Sequence, residues 1–190
     1  MNKSIFFVSL MPFLAACATF APQMVTLNPQ VSVTQSAAGL GKVVALKVID
    51  TRADKALGYR TTRSDKDSAI ITNQDVAKVV QSKIYDNLKK SGFDVDILDN
   101  GARALRIEIR DLDYSAPTGS WTGGIRVLAT LNAVVKNGDT TYENLYQITN
   151  NERVILKPDR EKNEELINKT LSDVLQRLLQ DEKVIALLAK

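Results

Sequence analysis

Residues 125–135 place the strongest constraint on how this chain folds, because every second residue in them is apolar. The apolar positions are Ile125, Val127, Ala129, Leu131, Ala133 and Val135. Side chains of an extended strand point alternately to its two faces, so this pattern predicts a long strand with one buried face. The Lys-Asn-Gly-Asp sequence at 136–139 is typical of a tight hairpin turn. Residues 140–149 are therefore expected to return as the antiparallel neighbour.

Three other segments have the pattern of strands. Residues 42–50 are apolar on both faces apart from Lys47, which suits a central strand. The sequence at 93–98 alternates, and we expect its apolar residues to point inward: Phe93, Val95 and Ile97. Residues 105–114 also alternate, but their apolar positions change parity partway: Leu105, Ile107 and Ile109, then Leu112 and Tyr114. One extra residue near Asp111 would produce this change, so we predict a β-bulge there.

Two segments show helical spacing. The first is expected to be capped by Thr72 or Asn73 and to stop at Gly92, with one apolar face: Val76, Val79, Val80, Ile84 and Leu88. The second opens at Pro158 and Asp159, with a longer stripe: Leu166, Ile167, Thr170, Leu171, Val174, Leu175, Leu178 and Leu179. The last ten residues are expected to add a short helix with three apolar residues partly exposed: Ile185, Leu187 and Leu188.

The order of these segments is strand, helix, four strands, helix. This order indicates an α+β fold with a single mainly antiparallel sheet and two main helices packed on one of its faces. We expect residues 42–190 to form this one domain, which is long enough to bury an ordinary core.

The N-terminus contains the only cysteine, Cys17, after Lys3 and a mostly apolar run from Ile5 to Ala16. That run is shorter than the roughly 20 residues of a membrane-spanning helix and fits a signal peptide. The sequence Leu-Ala-Ala-Cys that ends at Cys17 resembles a bacterial lipobox. The resemblance implies cleavage between Ala16 and Cys17 and acylation of Cys17, for example with palmitate. The alternative is an ordinary N-terminus with an unimportant thiol.

Residues 1–16 are therefore expected to be a cleaved lipoprotein signal peptide, and residues 17–41 a lipidated cysteine with a tether. Prolines and small residues disfavour a helix in the tether, and Val31 and Val33 alternate like a short edge strand. Twenty extended residues would reach about 65 Å. Position 18 is Ala, not Asp, and this resembles lipoproteins that are sorted to the outer membrane, with the domain on its periplasmic face.

Composition excludes several kinds of site. The chain has no histidine, so a histidine base and a His-ligated metal are excluded. With Cys17 lipidated, no internal disulfide is available. The net charge of +3 is spread over 25 basic and 22 acidic residues without the dense basic block typical of nucleic-acid binding. We therefore expect no nucleic-acid partner, no metal and no cofactor other than the covalent lipid.

The segment Asp-Thr-Arg-Ala-Asp-Lys-Ala-Leu-Gly at 50–58 resembles the YajG-type lipoproteins of Gram-negative bacteria. Five residues carry the match: Asp50, Arg52, Asp54, Ala56 and Leu57. The resemblance extends over the lipobox, the first strand, the helix that ends in Ser-Gly-Phe-Asp-Val, the paired strands and the last helix. It implies an envelope lipoprotein, in a family whose function is uncharacterised.

Two loops are candidate binding sites. Asp50, Arg52 and Asp54 follow a strand end, where binding residues often lie. Arg52 would there clamp a ligand or contact a partner, or the three residues form a local ion network. Trp121 lies in the glycine-rich segment 119–124, where it would stack on a sugar or anchor a partner protein, or fold back over the core.

Paired carboxylates raise the question of catalysis. The pairs Asp94/Asp96 and Asp111/Asp113 each point to one face of a strand. Such pairs serve glycoside hydrolysis, although solvated strand faces explain them as well. The preferred hypothesis is a non-catalytic outer-membrane lipoprotein that binds a partner protein or peptidoglycan. The alternative is a carboxylate-dependent glycan hydrolase, which a cleft holding two of Asp50, Asp54, Asp111 and Asp113 would favour.

Overall fold

The computed structural model describes residues 21–62, 64–96, 102–116, 123–154 and 158–190. The strands in these ranges are β1 Gln23–Met24, β2 Val43–Asp50, β3 Gly58–Tyr59, β4 Ala69–Ile71, β5 Asp94–Asp96, β6 Arg103–Ser115, β7 Gly123–Asn137 and β8 Thr140–Val154. The helices are α1 Val76–Lys90, α2 Arg160–Leu179 and α3 Glu182–Ala189. A short 3₁₀ turn covers Lys66–Ser68.

The eight strands form one mixed sheet around β6. On one side, β6 pairs antiparallel with β7, and β7 with β8. On its other side, β6 pairs in parallel with β2 along its first half and with β3 at its end. Strand β5 lies beside β2, while β4 and β1 follow β3. The α+β class is confirmed, and the expected antiparallel pairing holds for the longest strands, β6 with β7 and β7 with β8. The sheet as a whole is mixed, because a crossover that includes α1 returns β5 and β6 parallel to β2.

Two local predictions for the long strands β6, β7 and β8 are confirmed. The pairing of β6 with β7 shifts between Ile109 and Asp111, which is the predicted bulge. The hairpin turn closes between Asn137 and Thr140, and Gly138 adopts a φ of 57° there. This positive φ favours glycine and explains why the turn falls at this residue.

Most of the buried apolar residues of the strands share one face of the sheet, and the three described helices contact it. Helix α1 contacts β2 and β5, α2 contacts β6, β7 and β8, and α3 contacts β7 and β8. Leu187 and Leu188, which we expected to be partly exposed, are buried, because α3 turns back over the end of the sheet. The other face is polar along β6, where Glu108 forms ion pairs with Arg106 and Arg110.

An aspartate caps each of the three described helices, and the cap of α1 differs from the prediction. Helix α1 is capped by Asp75, whose carboxylate accepts from the amide of Lys78, and not by Thr72 or Asn73. Helix α2 begins where the sequence predicts, directly after Asp159, which is its N-cap, and Asp181 caps α3.

The described part of the expected tether, residues 21–41, lies against the domain. Strand β1 pairs in parallel with β4, and Val25 and Leu27 are buried. Backbone amides of alternate residues in 25–32, which we call the strap, donate to side chains on successive turns of α2: Thr26 to Glu164 (2.8 Å), Asn28 to Asn168 (2.6 Å), Gln30 to Ser172 (2.8 Å) and Ser32 to Gln176 (3.0 Å). Because helix side chains satisfy these donors, the expected edge strand around Val31 and Val33 does not form.

Candidate functional site

The candidate site lies along the last part of β6, beyond the end of β2. Strand β2 ends at Asp50 opposite Ile109, and β6 continues to Ser115, so the loop that follows β2 runs beside the end of β6, and ligand-binding residues commonly lie on such loops. After Asp50 the chain forms a loop and then enters β3, which pairs beside Tyr114 and Ser115. We call residues 50–60 together with residues 113–116 the loop end.

Arg52 stabilises this loop from inside. Its guanidinium donates to both carboxylate oxygens of Asp50 at 3.0 Å and to the carbonyl of Ala56 at 3.1 Å. The Arg52 side chain is only 4% exposed, while Lys55, 65% exposed, approaches the same carboxylate at 3.3 Å. Burial raises the pKa of Asp50, but hydrogen bonds and charge from Arg52 outweigh it and leave that pKa lowered. This geometry is the local ion network, the second of the two alternatives for Arg52.

Asp54 and Tyr59 form the outer part of the loop end. The Tyr59 hydroxyl donates to Asp54 Oδ2 at 2.6 Å, and the amide of Ala56 donates to Asp54 Oδ1 at 2.9 Å. The hydrogen bond from Tyr59 lowers the pKa of Asp54, and the same bond raises the pKa of Tyr59. The loop is thus fixed by its own side chains and presents Tyr59 at the edge of β3.

The structure brings the bases of the two predicted loops together. Tyr59 is the register partner of Ser115, and its carbonyl accepts from the amide of Ala116 at 3.3 Å. Ala116 is the last described residue before the segment with Trp121, and β7 resumes at Gly123. Trp121 itself lies outside the described residues.

Of the two carboxylate pairs, one contributes to the loop end. Burial raises the pKa of Asp113, and repulsion from Asp111 and Asp54 adds to the effect, although the charge of Arg126 opposes it. The other pair lies on β5, where Asp94 is the register partner of Val43 at the start of β2 and forms an ion pair with Lys89. The length of β2 therefore separates the two pairs.

Sequence reasoning did not single out Tyr59, and it named Asp113 only as one of four carboxylates that either share a catalytic cleft or lie on solvated strand faces. The sequence from 51 to 71 is polar and irregular, and the two-residue strand that positions Tyr59 is too short for a periodic signal. The apolar cluster at 69–71 was a usable signal for the strand that contains Tyr59. Residues 69–71 pair antiparallel with Gly58 and Tyr59, and two short strands of this kind can enclose a polar loop.

Two features are absent from the described part of the chain. No group of three or more acidic, cysteine or histidine side chains there is arranged to hold a metal ion. Among the described helices, none combines the length and the apolar character needed to cross a bilayer.

Comparison of sequences identifies the family. Residues 29–189 match the family described as “Uncharacterized lipoprotein”. This range includes all three helices and every strand except β1. No curated protein matches the chain.

Solved structures with similar folds come from several bacteria. Protein XCC0632 from Xanthomonas campestris has a TM-score of 0.59 at 11% identity, over 87% of this chain and 95% of that one. A putative neuraminyllactose-binding hemagglutinin homolog from Helicobacter pylori has a TM-score of 0.49 at 10% identity, over 87% and 96%. A minor lipoprotein from Acinetobacter baumannii has a TM-score of 0.43 at 10% identity, over 73% and 90%. At 11% identity the likeness to XCC0632 concerns the fold alone, and the other two TM-scores, which are below 0.5, support no conclusion.

Proposed function

This chain belongs to the YajG-type family of uncharacterized lipoproteins, and on that basis we propose that it is a lipid-anchored protein of the outer membrane that binds a partner without catalysis. The partner is an envelope protein or peptidoglycan, met on the periplasmic side. The anchor is an acylated Cys17, for which the lipobox-like sequence and the lipoprotein family are the support.

The anchor has a direct test. Replacing Cys17 by Ser removes the thiol that would carry the lipid, and more than one acyl chain is needed for stable membrane attachment. We expect Cys17→Ser to leave uncut precursor or to release the protein from membranes, as seen by cell fractionation and by the mass of the N-terminal peptide. Normal processing and membrane retention of the variant would exclude this anchor.

One observation supports the loop end as the binding surface: two loops identified separately in the sequence share one base at Tyr59 and Ala116. Tyrosine and tryptophan are enriched in the residues that dominate interfaces. The buried Arg52 pair gives this surface a fixed loop backbone, which lowers the entropy cost of binding. Arg52 would therefore act as a positioning residue, with Tyr59, Asp54 and Trp121 nearer to the partner.

The experiment is chemical crosslinking in intact cells followed by mass spectrometry. We expect the double variant Tyr59→Ala/Trp121→Ala to fold normally but to lose most of the partner captured by the wild type. Tyr85→Ala, which truncates a tyrosine on α1, is the matched control and should retain capture. Undiminished capture by the double variant would exclude the loop end as the binding surface.

A glycan hydrolase is the second candidate, favoured by the opposite pKa shifts of Asp113 and Asp54. A carboxyl with a raised pKa beside one with a lowered pKa is the pattern of an acid and base pair. Against it, both oxygens of Asp54 already accept hydrogen bonds within the loop. If purified protein cleaves peptidoglycan, and Asp113→Asn or Asp54→Asn abolishes the activity, the non-catalytic proposal is wrong.

A further inference from the structure

The docked strap shortens the free connection between the lipid-bearing residue and the domain. The described chain begins at Ala21, whose carbonyl accepts from the guanidinium of Arg60 at 2.6 Å. Strand β1 follows at Gln23. Only four peptide units therefore separate Cys17 from a point that is fixed on the domain.

Four residues set a strict limit on distance. Even a fully extended chain covers at most about 3.6 Å per residue, so Ala21 lies within roughly 14 Å of Cys17. The undocked tether expected from the sequence would have allowed several times this reach. Releasing the strap would expose Val25 and Leu27, which are buried, and would leave its amides without their partners on α2.

This limit applies to one particular end of the molecule. Arg60 follows Tyr59 directly, so the attachment point adjoins the loop end. The turn at Gly138 lies at the other end of β7, a strand of 15 residues that spans about 50 Å at 3.3 Å per residue. The C-terminal residue also lies far from the attachment point, because its carbonyl accepts from Lys42 beside the start of β2.

We propose that the loop end rests on the headgroup layer of the membrane that holds Cys17, and that zwitterionic phospholipid headgroups contact it directly. The inference rests on the proposed acylation of Cys17. Charges of both signs lie in the loop end, at Asp54 and Lys55, and in the adjoining 3₁₀ turn that Arg60 contacts, at Asp65, Lys66 and Asp67. A headgroup layer that offers phosphate and ammonium groups complements such a mixed surface, whereas a strongly anionic surface would repel its carboxylates.

The orientation defines where a binding partner must be. A partner that contacts Tyr59 has to reach the bilayer surface and displace headgroups there, so of the two partner classes proposed above an envelope protein suits this orientation, and a partner confined to the space beyond the Gly138 turn does not. The proposed binding surface thus faces the membrane, and the far end of the sheet faces away from it.

Fluorescence quenching in vesicles tests this orientation. Mature lipidated protein is reconstituted into phosphatidylethanolamine and phosphatidylcholine vesicles that carry a nitroxide on a fraction of the headgroups. A fluorophore is attached to a new thiol in Lys66→Cys or in Asp139→Cys, the matched control in the far turn. Because the sulfur of Cys17 is blocked by lipid, each variant has a single reactive thiol.

We expect several-fold stronger quenching at position 66 than at position 139. Equal quenching, or stronger quenching at position 139, would overturn the proposal. Quenching at position 66 in native membranes but not in pure lipid vesicles would also overturn it, because a membrane protein would then occupy the surface. If Cys17 carries no lipid, the protein will not remain with the vesicles and its N-terminal peptide will have the unmodified mass, so failure of the anchor is recognised separately.

A strap variant gives a second, independent comparison. Leu27→Asp places a charge in the buried part of the strap, and we expect it to release the strap together with β1 and Ala21, which precede it, and to reduce quenching at position 66 to the level seen at position 139. Unchanged quenching in a folded variant would mean that the strap does not hold the orientation. If this variant does not fold, Gln176→Ala, which removes one strap contact from the surface of α2, is measured in its place with the same expected direction.

Discussion

At the scale of single residues, Arg52 determines the stability of the loop end. Its guanidinium is almost fully buried between Asp50 and the carbonyl of Ala56. Removing one member of a buried ion pair leaves the other charge without compensation. We expect Arg52→Ala to lower the free energy of unfolding by about 3 kcal/mol in urea denaturation. Lys55→Ala, which removes an exposed partner of the same carboxylate, should cost about 0.5 kcal/mol or less, and equal losses would contradict this account.

The same pair predicts a pH dependence. The pKa of Asp50 is lowered in the folded protein, so its contribution to stability is present above the unfolded value near 3.9 and is lost as pH falls through the lower folded value. We expect the stability difference between wild type and Arg52→Ala to shrink below about pH 4. Denaturation at pH 7 and at pH 3 measures it, and a constant difference would exclude the ion pair as the cause.

The sequence predicted which residues of this loop matter but not how they act. The Asp-x-Arg-x-Asp spacing allows both a ligand clamp and an internal ion network. The choice depends on the burial of Arg52, and that burial arises from β3, which pairs with residues more than fifty positions later in the chain. Tyr59 was missed for the same reason.

At the scale of elements, α1 tests the assignment of the core. Val80 is fully buried on this helix and Lys78 is exposed two residues earlier. An unpaired buried charge costs several kcal/mol, against a total stability of about 5–15 kcal/mol. We expect Val80→Asp to prevent stable folding and Lys78→Ala to leave the melting temperature nearly unchanged. Circular dichroism distinguishes the two, and equal melting temperatures would refute the packing of α1.

Asp181 joins α3 to the sheet and predicts an unequal cost of two helix caps. Its carboxylate caps the helix at the amide of Lys183 and also accepts from the hydroxyls of Tyr142 and Tyr146. Asp159 only caps α2, at the amide of Lys162. We expect Asp181→Ala to cost about 3 kcal/mol and Asp159→Ala about 1 kcal/mol in thermal unfolding. Similar costs would mean that the two tyrosine contacts add nothing.

Long elements with strong periodicity were predictable, and contacts between distant segments were not. The alternation in β6 and β7 predicted the strands, the hairpin and the bulge, because each depends on neighbouring residues. The strap was missed because its amides bond to side chains more than 130 positions away. Parallel pairing of β2 with β6 was missed because periodicity does not encode strand direction.

At the scale of the whole molecule, the strap gives the domain a direction. The chain enters beside Arg60, follows α2 away from that point and begins β2 at the far end. Strand β2 then returns to the loop end, where Asp50, Arg52 and Tyr59 lie. The attachment point and the candidate site are therefore at the same end of the fold.

The most direct test of the central claim is site-specific photo-crosslinking in living cells. A photoreactive phenylalanine analogue replaces Tyr59 in one strain and Tyr85, on α1, in another. We predict strong crosslinks to a membrane-associated partner or to lipid from position 59, weak ones from position 85, and loss of the position 59 crosslinks when Cys17 is also replaced by Ser. Crosslinks of equal strength from both positions, or crosslinks from position 59 that survive Cys17→Ser, would contradict a lipid-anchored protein that binds through its loop end.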